Sequence, residues 1–79
     1  MLDRQLKLVH LFLINPSKHL SSDEIAEHIN VSNRTVRNDI HVINSNFMDD
    51  VIISIKSKGY QLNTSRYTLD AITDRYTHI

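Results

Sequence analysis

Arg34, Arg37, Asn38, His41 and Ser45 recur at spacings that gather them on one side of an α-helix. With Val36 at 0° and about 100° per residue, Arg37 falls near ~100°, His41 near ~140°, Arg34 near ~160°, Ser45 near ~180° and Asn38 near ~200°. Ile40 and Ile43 stay within about 40° of Val36 and form the buried stripe. The opposite face therefore holds Arg, Arg, Asn, His and Ser without a carboxylate, since Asp39, near about −60°, lies off it. These groups match base edges: Arg presents two donors to the two major-groove acceptors of guanine, and Asn an acceptor–donor pair to adenine.

Other chemistries lack their residues. The five histidines, His10, His19, His28, His41 and His78, form no i, i+4 pair and no short ligand cluster, so no metal site is expected. The chain has no cysteine, which excludes disulfides, thiol redox chemistry and thiolate metal sites. It carries no nucleophile motif, no glycine-rich phosphate loop and no carboxylate pair set by a recognisable motif. Neither an enzyme nor a cofactor is expected.

Composition sets the scale. The chain has 79 residues, 41% of them hydrophobic and 23% charged, with one glycine and one proline. That length holds one small domain, and so few breakers favour helices over a turn-rich β fold. The formal net charge is zero, but its distribution is uneven. Residues 1–31 sum to −1 (Arg4, Lys7 and Lys18 against Asp3, Asp23, Glu24 and Glu27). Residues 32–66 sum to +2 (Arg34, Arg37, Lys56, Lys58 and Arg66 against Asp39, Asp49 and Asp50), and residues 67–79 return to −1. The apolar stretch Leu8–Ile14 is broken by His10 and is too short for a membrane span, and the N-terminus is not that of a secretory signal. A soluble cytoplasmic protein is expected; abundant Asn and Ile with no Trp hint at an AT-rich bacterial genome.

The elements that must position the polar face follow from local signals. A first helix is expected over about Asp3–Ile14, stopped by Asn15-Pro16. Leu2, Leu6, Val9 and Leu13 make one apolar stripe, and Leu8, Leu11 and Phe12 a second. Ser17–Leu20 reads as a loop or a one-bond strand. Ser21 and Glu24 form a capping box for a second helix, with Ile25, Ala26 and Ile29 inward. Asn30-Val31-Ser32 makes a tight turn, Asn30 being suited to a left-handed backbone, and Ser32 caps the third helix, Asn33–Asn46. Val51–Lys56 is a strand, Ser57-Lys58-Gly59 a turn with positive φ at Gly59, and Tyr60–Leu62 the returning strand. The register is open, since a one-residue shift exchanges Ile53 and Ile55 with Ile52. Leu69, Ile72, Tyr76 and Ile79 recur at helical spacing after Thr68, an acceptable cap. The tail 64–79 is either a fourth helix, covering the Leu8/Leu11/Phe12 face or pairing with a second chain, or a linker.

Two short helices joined by a three-residue turn, followed by a lysine-tipped hairpin, read as a winged helix-turn-helix of the α+β class, mainly α. Ser32 and the first N–H groups of the third helix suit a backbone phosphate. Lys56 and Lys58 either approach phosphates and the minor groove or protect an exposed strand edge. The candidate DNA-binding set is Ser32, Asn33, Arg34, Arg37, Asn38, His41, Lys56 and Lys58. A competing reading is a protein-interaction module whose polar face docks an acidic partner.

The run Leu20–Ile40 resembles the N-terminal winged-helix domain of BglG-type and Mga-type bacterial regulators linked to the sugar phosphotransferase system. Their pattern Val-Ser-x-Arg-Thr-Val-Arg-x-Asp-Ile is matched by Val31–Ile40, and the wing pattern Lys-Gly-Tyr-x-Leu by Lys58–Leu62. The likeness covers roughly residues 4–63; DeoR-type repressors and the DNA-binding part of biotin-ligase repressors are similar. Asn30 stands where many members carry Gly. The resemblance implies sequence-specific binding to double-stranded DNA in transcription regulation of carbohydrate genes, through the DNA-binding branch of a family often labelled antiterminators. It also implies a homodimer in a longer protein whose regulatory domains lie outside this chain, with residues 1–63 as the DNA-binding domain and 64–79 leading onward. Thr35 and Asp39 match the pattern and are expected to shape the fold by packing and local hydrogen bonds.

Overall fold

A computed structural model describes residues 2–77, and their side chains through residue 75. Four helices and one hairpin follow in the order α1 (Asp3–Leu13), α2 (Ser22–Ile29), α3 (Asn33–Asn44), β1 (Ile52–Ile55), β2 (Gly59–Leu62) and α4 (Leu69–Thr77). Apart from the added α4, this is the winged helix-turn-helix order, mainly helical with a two-stranded antiparallel wing.

The caps fall where local chemistry demands them. The Ser21 hydroxyl accepts from the Glu24 backbone N–H at 3.1 Å, while the Glu24 carboxylate accepts from Ser21 N–H at 3.2 Å. Both donors would otherwise lack a partner at a helix start. α2 ends at Asn30, whose φ of 57° and ψ of 52° are left-handed, and Val31 N–H then returns to the Ala26 carbonyl. α3 stops at Asn44 rather than Asn46. There the backbone tightens, with Asn46 N–H bonded to Ile43 O and Phe47 N–H to Asn44 O, three residues back. The Asn44 side chain then starts the wing: its Oδ1 accepts from Val51 and Ile52 N–H, and its Nδ2 donates to Ile52 O, each at 3.0 Å.

The register pairs Ile52 with Leu62, Ile53 with Gln61, Ser54 with Tyr60 and Ile55 with Gly59. Ile52 and Leu62 point into the core, whereas Ile53 and Ile55 are half-buried. Leu20 adds a one-residue bridge, exchanging both backbone hydrogen bonds with Tyr60 at 2.8 Å. Gly59 has φ of +107°, and a Cβ there would stand 2.5 Å from the Leu20 carbonyl oxygen. The turn also holds a second left-handed residue, Ser57, with φ of 66°.

One core joins every element: Leu8, Val9 and Phe12 of α1, Ile25 of α2, Val36, Ile40 and Ile43 of α3, Val51, Ile52 and Leu62 around the wing, Leu20 before α2, and Ile72 of α4. Of the two α1 stripes expected from spacing, the Leu8, Leu11 and Phe12 face lies in or against the core, and the other is corrected at Leu2 and Leu6. Leu2 is 53% and Leu6 37% exposed, while the face made by Gln5, Leu8, Val9 and Phe12 is buried. Polar ties from the first turn of α1 to α3 turn that face inward. α4 forms and packs on α1 with Ile72 fully buried, and Thr68 caps it through a 3.1 Å bond from Ala71 N–H. The Tyr76 side chain, His78 and Ile79 lie outside the described residues.

Candidate nucleic-acid interface

Burial of Val36, Ile40 and Ile43 fixes which way α3 faces. Arg34, Arg37, Asn38 and His41 are all exposed on its other side. Among the described residues, none of the four side chains makes a hydrogen bond or ion pair; the acids in ion pairs are held elsewhere, Asp39 by Arg4 and Asp49 by Arg66. An unpaired guanidinium keeps its whole donor fork for a ligand.

The first turn of α3 is differently engaged. The Ser32 hydroxyl accepts from Thr35 N–H at 3.2 Å and contacts the Thr35 hydroxyl at 3.0 Å. Asn33, also exposed, donates from Nδ2 to the carboxylate of Asp23 in the first turn of α2. That bond sets the starts of α2 and α3 side by side. Gly59, pressed against Leu20 and Ser21, brings the turn end of the hairpin to the same end of α2. One edge of the molecule thus carries the turn end of the wing, the α2 cap and the opening of α3. Lys56 and Lys58 stand exposed on the connecting loop of the hairpin, free of ion pairs among the described residues.

The polar face is braced from behind. Arg4 of α1 grips Asp39 with Nε to Oδ2 at 2.7 Å and Nη2 to Oδ1 at 3.1 Å, and Gln5 Nε2 donates to Asp39 Oδ1 at 3.1 Å. Asp39 is fully buried. Burial alone would push its carboxyl up, but the hydrogen bonds from Arg4 and Gln5, with the charge of Arg4, outweigh that and hold it below the usual carboxylate range. Its hydrogen bond to Asp39 correspondingly raises Arg4. Asp39 was expected to bond locally; its partners are instead 34 and 35 positions away. Thr35 does bond locally, to Ser32.

A family model described as an HTH domain matches residues 4–61, from the first turn of α1 into β2. The chain belongs to the helix-turn-helix domain family. No curated protein and no solved structure matches it. The family implies DNA as partner. No helix among the described residues is long and apolar enough to cross a membrane, and no group of three or more metal-ligating side chains occurs among them.

Sequence reasoning missed Asp23, which entered only as an acid beside a capping box, and the Arg4–Gln5–Asp39 brace. The brace had a readable signal. Asp39 lies only about 40° from Ile43 on the α3 wheel, inside the arc that the core covers.

Proposed function

We propose that this chain is the sequence-reading module of a bacterial transcriptional regulator, with α3 in the major groove. The observation that carries the reading is the exposed, carboxylate-free face on which Arg34, Arg37 and Asn38 are unpaired among the described residues. Arg34 and Arg37 offer forks to guanine, and Asn38 an amide to adenine. His41, further along α3, and Ser32, at its start, meet the phosphate backbone. Lys56 and Lys58 supply sequence-independent attraction to phosphates or the minor groove. The module acts without catalysis or cofactor, in the cytoplasm where DNA is accessible.

The match of Val31–Ile40 and Lys58–Leu62 to the BglG-type and Mga-type pattern supports a role in carbohydrate uptake or metabolism genes. Operators of such regulators are two half-sites, which a homodimer of the full-length protein would span. Residues 1–63 form the DNA-binding unit in this reading, and 64–79 lead toward regulatory domains.

The test is equilibrium binding to a selected duplex and to a random one across a salt series. Binding through Z phosphate contacts gives a log–log slope of about −0.9Z. An Arg34→Ala/Arg37→Ala double variant should lose the selected site's advantage. Equal affinity of that variant and the wild type for the selected site would overturn the reading, and an absence of duplex binding at low salt would favour a protein-docking module.

A further inference from the structure

Among the described residues, polar side chains tie α3 to other elements at three points. Asn33 donates to Asp23 at its start, and Asn44 holds β1 at its end through bonds of 3.0 Å. The middle tie is Asp39, which follows Asn38 directly and lies within the stretch that carries Arg34, Arg37 and His41. Asp39 alone of the three is fully buried. It accepts three hydrogen bonds from one turn of α1, at 2.7 and 3.1 Å from Arg4 and at 3.1 Å from Gln5. Gln5 is fixed at its other end as well, since its Oε1 accepts from the Leu2 N–H at 3.2 Å. The donors therefore stand on the anchored start of α1.

Apolar burial is non-directional, so Val36, Ile40 and Ile43 choose the inward face of α3 without fixing its fine roll. A side-chain tip stands about 6 Å from the helix axis, and a roll of about 5° moves it by about 0.5 Å. That equals the whole spread of ordinary N–H···O distances, about 2.7–3.2 Å. Hydrogen bonds to an ionised carboxylate are short and directional, and Arg adds a two-point grip. We infer that Arg4, Gln5 and Asp39 are positioning residues for base selectivity: from the inner side of α3 they set its roll, and through it the aim of Arg34, Arg37 and Asn38. They touch no base. The opposite charges of Arg4 and Asp39 cancel, so the pair adds no net attraction to phosphates. A buried ion pair is commonly no more stabilising than apolar groups of the same volume, so what the brace contributes is directional hold. This inference rests on the proposed DNA reading.

The experiment replaces the brace by apolar groups of similar volume, Arg4→Met/Gln5→Leu/Asp39→Leu, which removes the two opposite charges together. Binding of the full chain to a selected duplex and to a scrambled one is measured across salt. Circular dichroism gives the thermal midpoint, and backbone residual dipolar couplings in NMR give the orientation of α3. The ratio of the two affinities should fall about tenfold, the worth of one good base contact. Affinity for the scrambled duplex should stay within about twofold, with its salt slope unmoved, because phosphate contacts carry no sequence. The α3 couplings should shift relative to those of α2 while the midpoint is kept. Asp39→Asn, which keeps the shape but turns an amide NH₂ toward the donors, is the second variant and should lower the ratio in the same sense. An unchanged ratio in either folded variant, an equal loss on both duplexes, or failure of both variants to fold overturns this inference alone. Absence of any sequence-selective binding by the wild type overturns the DNA reading and this inference with it.

Discussion

Arg4 and Asp39 meet through two parallel hydrogen bonds, 2.7 and 3.1 Å long, that join the first turn of α1 to the middle of α3. Nothing in either helix requires the other locally, since they stand 35 positions apart. The pair is placed so that Asp39 faces the core while Arg34, Arg37 and Asn38 face out. The helix that bears the exposed polar face is thus oriented partly by a buried charge on its inner side.

Asp39→Ala should destabilise the fold by about 1–3 kcal/mol, because it leaves the buried Gln5 amide without its acceptor. The folded carboxyl lies below its ordinary value, so its contribution is present above about pH 4 and is lost as pH falls through the folded value. Urea melts at pH 7 and pH 3 should therefore show a smaller gap between wild type and Asp39→Asn at the lower pH. Arg4→Met should raise the Asp39 carboxyl, which proton titration by NMR would report.

Ile72→Ala should cost about 2–5 kcal/mol, the range for emptying a buried aliphatic site. Ile72 is fully buried in the shared core. The approach to α4 is also held from the segment between α3 and β1: the Tyr67 hydroxyl donates to Asp49 O at 2.9 Å and accepts from Asp49 N–H at 3.0 Å, and its ring meets Phe47 edge-on at 5.2 Å. Arg75 of α4 lies 5.2 Å from the Phe47 ring. Removing residues 64–79 should then lower the thermal midpoint, and a midpoint equal to that of the whole chain would show that α4 adds nothing to stability.

Arg37→Ala should lose about 1–3 kcal/mol of binding and relax one base position. Lys58→Ala should instead weaken selected and random duplexes alike and reduce the salt slope by about 1. Fluorescence anisotropy on both duplexes across salt separates these outcomes. A loss confined to the selected site would give Lys58 a base contact, and no loss on either would leave it as protection for the strand edge.

Asn30→Ala should destabilise by about 1–2 kcal/mol, because alanine lacks the local hydrogen bonding that makes a left-handed backbone tolerable. Asn30→Gly should be neutral or slightly stabilising, consistent with a φ of 57°. At Gly59 even alanine should be costly, since its Cβ would strike the Leu20 carbonyl and break the bridge to Tyr60. Chemical denaturation of the three variants ranks them.

Local chemistry written in the sequence determined the caps at Ser21 and Ser32, the left-handed turn at Asn30, the Val36/Ile40/Ile43 stripe and, by contrast, the polar side of α3. Each depends on residues within about one or two helical turns, so spacing alone was enough. The winged order was legible for the same reason. The register, the exposure of Leu2 and Leu6 and the partner of Asp39 were decided only by tertiary structure. Val51, Ile52 and Leu62 became core because Asn44 fixed the start of β1. Gln5 displaced the Leu2/Leu6 side of α1 from the interior because Asp39 offered it, and Arg4, a buried acceptor. The same holds at the interface, where Asp23 and Asn33, ten positions apart, meet only once α2 folds against α3. A hydrogen bond between distant segments has no periodicity in the chain; it exists only when packing brings donor and acceptor together.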